Sequence, residues 1–124
     1  MMDESLNVFG EQLLSCSDEP LTGFFRDGCC NTSAQDFGSH TICVAVTQAF
    51  LEFSRTRGND LMTPVPQFGF PGLREGDRWC LCASRWREAH EAGVAPRVYL
   101  QRTHLRALDV VPMEVLKPYA ADLS

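Results

Sequence analysis

The chain has 124 residues, 44% of them hydrophobic and 22% charged, and a net charge of −5. That size suits one domain over residues 1–124, and the composition excludes a disordered chain. No apolar run approaches the roughly 20 residues of a membrane helix, and the acidic start Met1-Met2-Asp3-Glu4-Ser5 does not read as a secretory signal, so no membrane partner and a cytoplasmic location are expected.

From Leu6 to Ser39 the chain is rich in turn formers. Short extended segments are expected at Leu6–Phe9, Gln12–Ser15 and Thr22–Arg26, as hairpin strands or well-packed loops. Next, the spacing of Ile42, Cys43, Ala45, Val46, Ala49, Phe50 and Phe53 predicts one long amphipathic helix over about 40–57, capped by Ser39 and stopped at Gly58. Residues 58–77 hold three prolines and four glycines, which forbid a long helix or a central strand; we expect an extended segment pinned by Phe68 and Phe70. A strand at Arg78–Cys82, a helix at Arg85–Ala92 closed by Gly93, a strand at Arg97–Gln101 and short helices at His104–Val110 and Met113–Tyr119 complete the pattern. The strand–helix–strand unit permits a parallel pair, but its helix is short for a full crossover. The expected class is α+β: a small sheet packed against the long helix, with short C-terminal helices.

Charge is uneven along the chain. Residues 1–62 carry nine acids against three bases and residues 63–124 seven against eight. Without a concentrated basic face, nucleic acid is not an expected partner, whereas a small anionic molecule is. Ten of the eleven bases are arginine, a bias that solvated helix faces explain more readily than anion recognition.

Several runs carry a resemblance. Pro20-Leu21-Thr22-Gly23-Phe24-Phe25-Arg26-Asp27-Gly28-Cys29-Cys30-Asn31-Thr32, Phe70-Pro71-Gly72-Leu73 and Gly76-Asp77-Arg78-Trp79-Cys80-Leu81-Cys82-Ala83, with Asp36, Gly38 and His40, resemble a bacterial family of small proteins catalogued only as a domain of unknown function. The likeness covers nearly the whole chain, with Gln12 and Met62 departing from the pattern. It implies no reaction, cofactor or partner.

The six cysteines, about 5% of the residues, fall below the roughly 8–10% of a secreted disulfide scaffold, and reduced thiols are expected in a cytosol. Cys80 and Cys82 share one face of a strand, while the adjacent Cys29 and Cys30 point apart unless a turn gathers them. Neither pair has the two-residue gap of a zinc knuckle, so no metal ligands are assigned. His40, at a helix start, would be held as a neutral imidazole able to act as base or ligand. A thiol at Cys29 or Cys30 beside the same helix start would ionise more readily. With Asp27 or Asp36 orienting the ring, these form a Cys–His–Asp arrangement, and Arg26 and Arg78 would hold an anionic substrate. Cys43, Cys80 and Cys82 are expected in the core. His104 reads as structural and His90 as solvated. Three functions remain open: a thiol-dependent enzyme or anion-binding protein with a Cys/His pocket, a metal-binding module using the cysteines, and an interaction domain presenting Phe68 and Phe70.

Overall fold

The computed structural model describes residues 5–122. Its sheet has three strands: β1 (His40–Ala45), β2 (Arg78–Cys82) and β3 (Arg97–Val98). They lie in the order β2-β1-β3, with β1 antiparallel to both neighbours. The helices are α1 (Gln48–Thr56), α2 (Ala83–Glu91) and α3 (Met113–Leu116), joined by short 3₁₀ turns.

The α+β class holds, but the long helix over 40–57 does not exist. Its first half is β1, and α1 starts only after Thr47, whose side chain accepts the Phe50 N–H at 3.1 Å. Thr41, Ile42, Val44 and Val46 are β-branched and favour a pleated surface. The strand is buried on both faces, so its apolar residues form a run without alternation that also matches helical spacing. The helix that covers the sheet is α2, packed on β1, β2 and α1. Its Ala83, Trp86 and Ala89 are buried, and the indole of Trp86 donates to Pro96 O at 3.1 Å.

α2 links β2 to β3, which run parallel to one another, but β1 is inserted between them. The parallel pair that such a unit permits is therefore not formed, as the shortness of its helix implies. β3 itself is short, since the chain turns into a 3₁₀ helix at Leu100–Arg102. The early segments form isolated bridges, such as Leu6↔Gln12 and Asn7↔His104, rather than strands. Phe70 packs edge-on against Trp79, with ring centroids 5.3 Å apart, while Phe68 is 77% exposed. Phe70 therefore pins the 58–77 segment and Phe68 does not. Gly72 holds its inner turn, where a Cβ would sit 2.4 Å from Met62 O.

The two faces of the sheet bury different chemistry. Ile42, Val44, Leu81, Trp79 and Val98 face the main hydrophobic core. The opposite face presents Cys43 and Cys80, which are cross-strand partners and join Cys16 and Cys30 in a second buried cluster beside Tyr99. Two disulfides, Cys16–Cys43 and Cys30–Cys80, tie the turn-rich first third onto β1 and β2. The expectation of six reduced thiols is thus corrected, with Cys29 and Cys82 the free cysteines. By the chain-entropy account, loops of 27 and 50 residues gain about 3.5 and 4 kcal/mol from closure. No helix among the described residues is long and apolar enough to cross a membrane.

Candidate functional site

The site is built where β1 begins and β2 ends. His40 is the Cα partner of Cys82, and the register shifts by one residue between His40 and Ile42. A bulge of this kind re-aims side chains and recurs beside active sites. Past Cys82 the chain turns directly into α2, for which Cys82 is the N-cap residue. Opposite, the turn before β1 closes through Ser39 N–H to Asp36 O at 3.0 Å, and Ser39 O accepts the Ala83 N–H at 2.9 Å. One turn therefore fixes both the start of β1 and the start of α2.

Asp36 is the centre of that turn. Its side chain is wholly buried. One carboxylate oxygen meets His40 Nδ1 at 2.6 Å, and the other accepts the His40 backbone N–H at 2.9 Å and the Thr32 hydroxyl at 3.0 Å. Burial alone would push the carboxyl up; the hydrogen bonds and charge of His40, with the Thr32 hydroxyl, outweigh it and hold Asp36 below its ordinary value. An ionised Asp36 makes Nδ1 the donor in this pair, which leaves Nε2 as the ring nitrogen free to exchange a proton.

Gly38 lies between the ring and the thiol. A Cβ there would sit 2.9 Å from His40 Cε1 and 3.3 Å from Cys82 Sγ, so both side chains flank the same small space. The Cys82 sulfur also contacts Ser84 Oγ at 3.2 Å. Two adjoining hollows of about 290 and 160 Å³ open here, sharing His40, Leu61 and Trp79. The larger is lined by Arg26, Phe68 and Phe70, and the smaller by Cys82, Asn59 and Arg85. Together they make a cleft in which apolar walls alternate with polar and charged groups, a form that suits a small molecule with both characters.

Arg26 crosses the face of Trp79, 5.1 Å from its ring centroid, and donates to Gly23 O at 2.8 Å. Its backbone is left-handed at φ 55°, a conformation that costs a non-glycine residue energy and is often found at functional positions. Asp60, on the rim, is held below its ordinary value chiefly by the Thr63 hydroxyl and by the N–H groups of Met62 and Thr63.

The remaining residues singled out from the sequence fall elsewhere. Cys30 is consumed in its disulfide with Cys80 and offers no thiol. Cys29 stays free, but burial and the charges of Asp27 and Asp18 push its thiol up, the reverse of the activation expected for it. Asp27 accepts from Cys29 N–H at 3.0 Å and Asn31 Nδ2 at 2.8 Å, organising its own loop. Arg78 donates to Cys16 O at 2.6 Å and lies over Tyr99, on the disulfide side of the sheet. His104 caps a 3₁₀ turn by accepting Arg106 N–H at 3.0 Å. His90 is not simply solvated: it stacks on Trp86 and meets Tyr119 Oη at 3.0 Å. The sequence reading expected Cys82 in the core, or at most as a companion of Cys29 and Cys30, whereas it is half-buried and lines the cleft; Trp79 and Arg85 were not singled out as lining residues.

The family model described as an uncharacterized protein conserved in bacteria, DUF2237, matches residues 6–120. The chain belongs to the DUF2237 family. Comparison with curated proteins finds no match. In this DUF2237 chain the matched span includes every residue of the cleft, from Arg26 to Arg85.

Proposed function

We propose that the protein is a thiol-dependent enzyme acting on a small molecule that carries an anionic group and an apolar part. The observation that supports this best is the buried Asp36 carboxylate on His40 Nδ1, with the same ring and Cys82 Sγ flanking Gly38. This is a Cys–His–Asp arrangement in which each group has one role. His40 Nε2 takes the thiol proton of Cys82 as the sulfur attacks an electrophilic carbonyl carbon. The imidazolium returns that proton to the leaving group as its bond to carbon breaks. Water then attacks the thioester, giving a proton to His40 and releasing Cys82. Arg26, and Arg85 at the other end of the cleft, are the cations suited to an anionic substituent, and Trp79 and Phe70 to an apolar one. Arg78 is not part of this proposal, and neither are Cys29, Cys30 and Asp27.

The reading is tested by incubating the full chain with a panel of small activated thioesters and esters, with and without a carboxylate. Intact-mass and peptide analysis would locate any acyl adduct. An adduct on Cys82 that forms fastest with carboxylate-bearing members, and is lost in His40→Ala, is expected. Acylation spread evenly over Cys29 and Cys82, unaffected by His40→Ala, contradicts the proposal.

A further inference from the structure

The buried cysteine cluster is a separate thiol centre that the cleft chemistry does not use. The sulfurs of Cys16, Cys30 and Cys80 all lie within 4.8 Å of one another, and Cys43 is bonded directly to Cys16. Cys16 and Cys30 come from two loops and Cys43 and Cys80 from two strands, and the two disulfides they form lie side by side. All four residues are 0–1% exposed. Because Cys43 and Cys80 are cross-strand partners, the register of β1 on β2 sets the two disulfides against each other and gathers the sulfurs that a soft metal ion would need.

We propose that this cluster has a second, reduced state in which Cys16, Cys30, Cys43 and Cys80 hold one soft divalent cation of the zinc class. Four thiolates around Zn²⁺ at about 2.3 Å place neighbouring sulfurs about 3.8 Å apart, so both bonded pairs part on reduction while Cys16, Cys30 and Cys80, all within 4.8 Å of one another, close around the cation. Reduction by two equivalents of a dithiol breaks both S–S bonds, delivers four electrons and four protons, and leaves the reductant as two disulfides. Cation entry then releases the four thiol protons to solvent and forms four metal–sulfur bonds. The complex carries two net negative charges, and Arg78 supplies a compensating cation from beside it. Its guanidinium donates to Cys16 O at 2.6 Å and lies 5.9 Å from the Tyr99 ring, which packs on the cluster. In either state the centre ties the first third of the chain to the sheet, by covalent bonds when oxidised and by the cation when reduced.

The test uses the full chain carrying Cys29→Ser and Cys82→Ser, which keeps the four cluster cysteines and removes the two free thiols. It is reduced anaerobically with excess dithiol, freed of reductant, and titrated separately with Zn²⁺ and Co²⁺. One cation per chain, an intense thiolate-to-cobalt charge-transfer absorption and recovery of native near-ultraviolet circular dichroism on metal addition are the expected results. No uptake by the reduced double variant, or uptake without the sulfur charge-transfer signature, overturns the proposal. Cys43→Ser in the same background is expected to weaken binding at least 100-fold; unchanged affinity would equally overturn it. Because Cys82 is absent throughout, none of these outcomes bears on the cleft.

Discussion

β1 and β2 carry cysteines in two settings only two residues apart along β2. At the middle of the pair, Cys43 and Cys80 face each other across the ladder and are sealed, each bonded to a cysteine of the overlying loops. At its end, Cys82 faces His40 across a bulge, unbonded and open to a cleft. The residue type is the same. What differs is the partner supplied by the register, and whether the turn-rich first third covers the position or, as at Asp36, brings a carboxylate to its neighbour.

The strongest way to break this contrast is to remove the seal. Replacing Cys30 and Cys80 together by alanine opens the 50-residue loop and is expected to cost about 4 kcal/mol, lowering Tm by roughly 10–20 °C; a urea or thermal melt checks it. The Cys82→Ser change, at the open end, should leave the melt within about 0.5 kcal/mol of the parent.

Next in size is Asp36→Ala. It leaves the His40 and Thr32 donors without their buried acceptor, at an expected cost of about 2–3 kcal/mol, and frees the imidazole to turn. The melt should fall and the alkylation rate of Cys82 should drop about tenfold, whereas Asp27→Ala should leave that rate alone. A wedge between ring and thiol gives a smaller effect. Gly38→Ala adds a methyl 2.9 Å from His40 Cε1 and 3.3 Å from Cys82 Sγ, and should slow alkylation several-fold while costing less than about 1.5 kcal/mol of stability.

The smallest effect concerns acid. Burial and the charge of Arg106 hold His104 below its ordinary value, so the unfolded chain binds its proton first. Stability is therefore expected to decline as pH falls below about 6.5, and His104→Asn, which keeps a capping acceptor, should flatten that limb in urea midpoints measured across pH. The Asp36 contribution has a different window. Its folded value is lowered, so its stabilisation is complete above the ordinary carboxyl range near pH 4 and is lost only as pH falls through the lower folded value.

Much of the second half was legible in the sequence. Arg78–Cys82 reads as an apolar strand because its neighbours Gly76 and Asp77 punctuate it, and α2 reads as a helix because Gly93 stops it. β1 was illegible for a physical reason: the sheet is buried on both faces, so Ile42, Cys43, Val44 and Val46 show no period of two. The disulfides were illegible because spacing does not encode pairing. Asp36 and His40 could be named as partners from their types and separation, but Cys82 could not be preferred over Cys29 and Cys30 as the thiol beside them. Cys82 enters the site through a register shift in β1, and a sequence carries no direct mark of a bulge.

The proposal turns on Cys82, with His40 beside it, being the cysteine that reacts first. Alkylation of the folded chain by iodoacetamide, quantified at Cys29 and Cys82 by peptide mass spectrometry from pH 5 to 10, tests it directly. The account predicts that Cys82 reacts at least tenfold faster than Cys29 at pH 7, that Cys29 becomes reactive only at the alkaline end, and that His40→Ala narrows the gap. Equal rates at the two cysteines, or a Cys82 rate indifferent to His40→Ala, would contradict it.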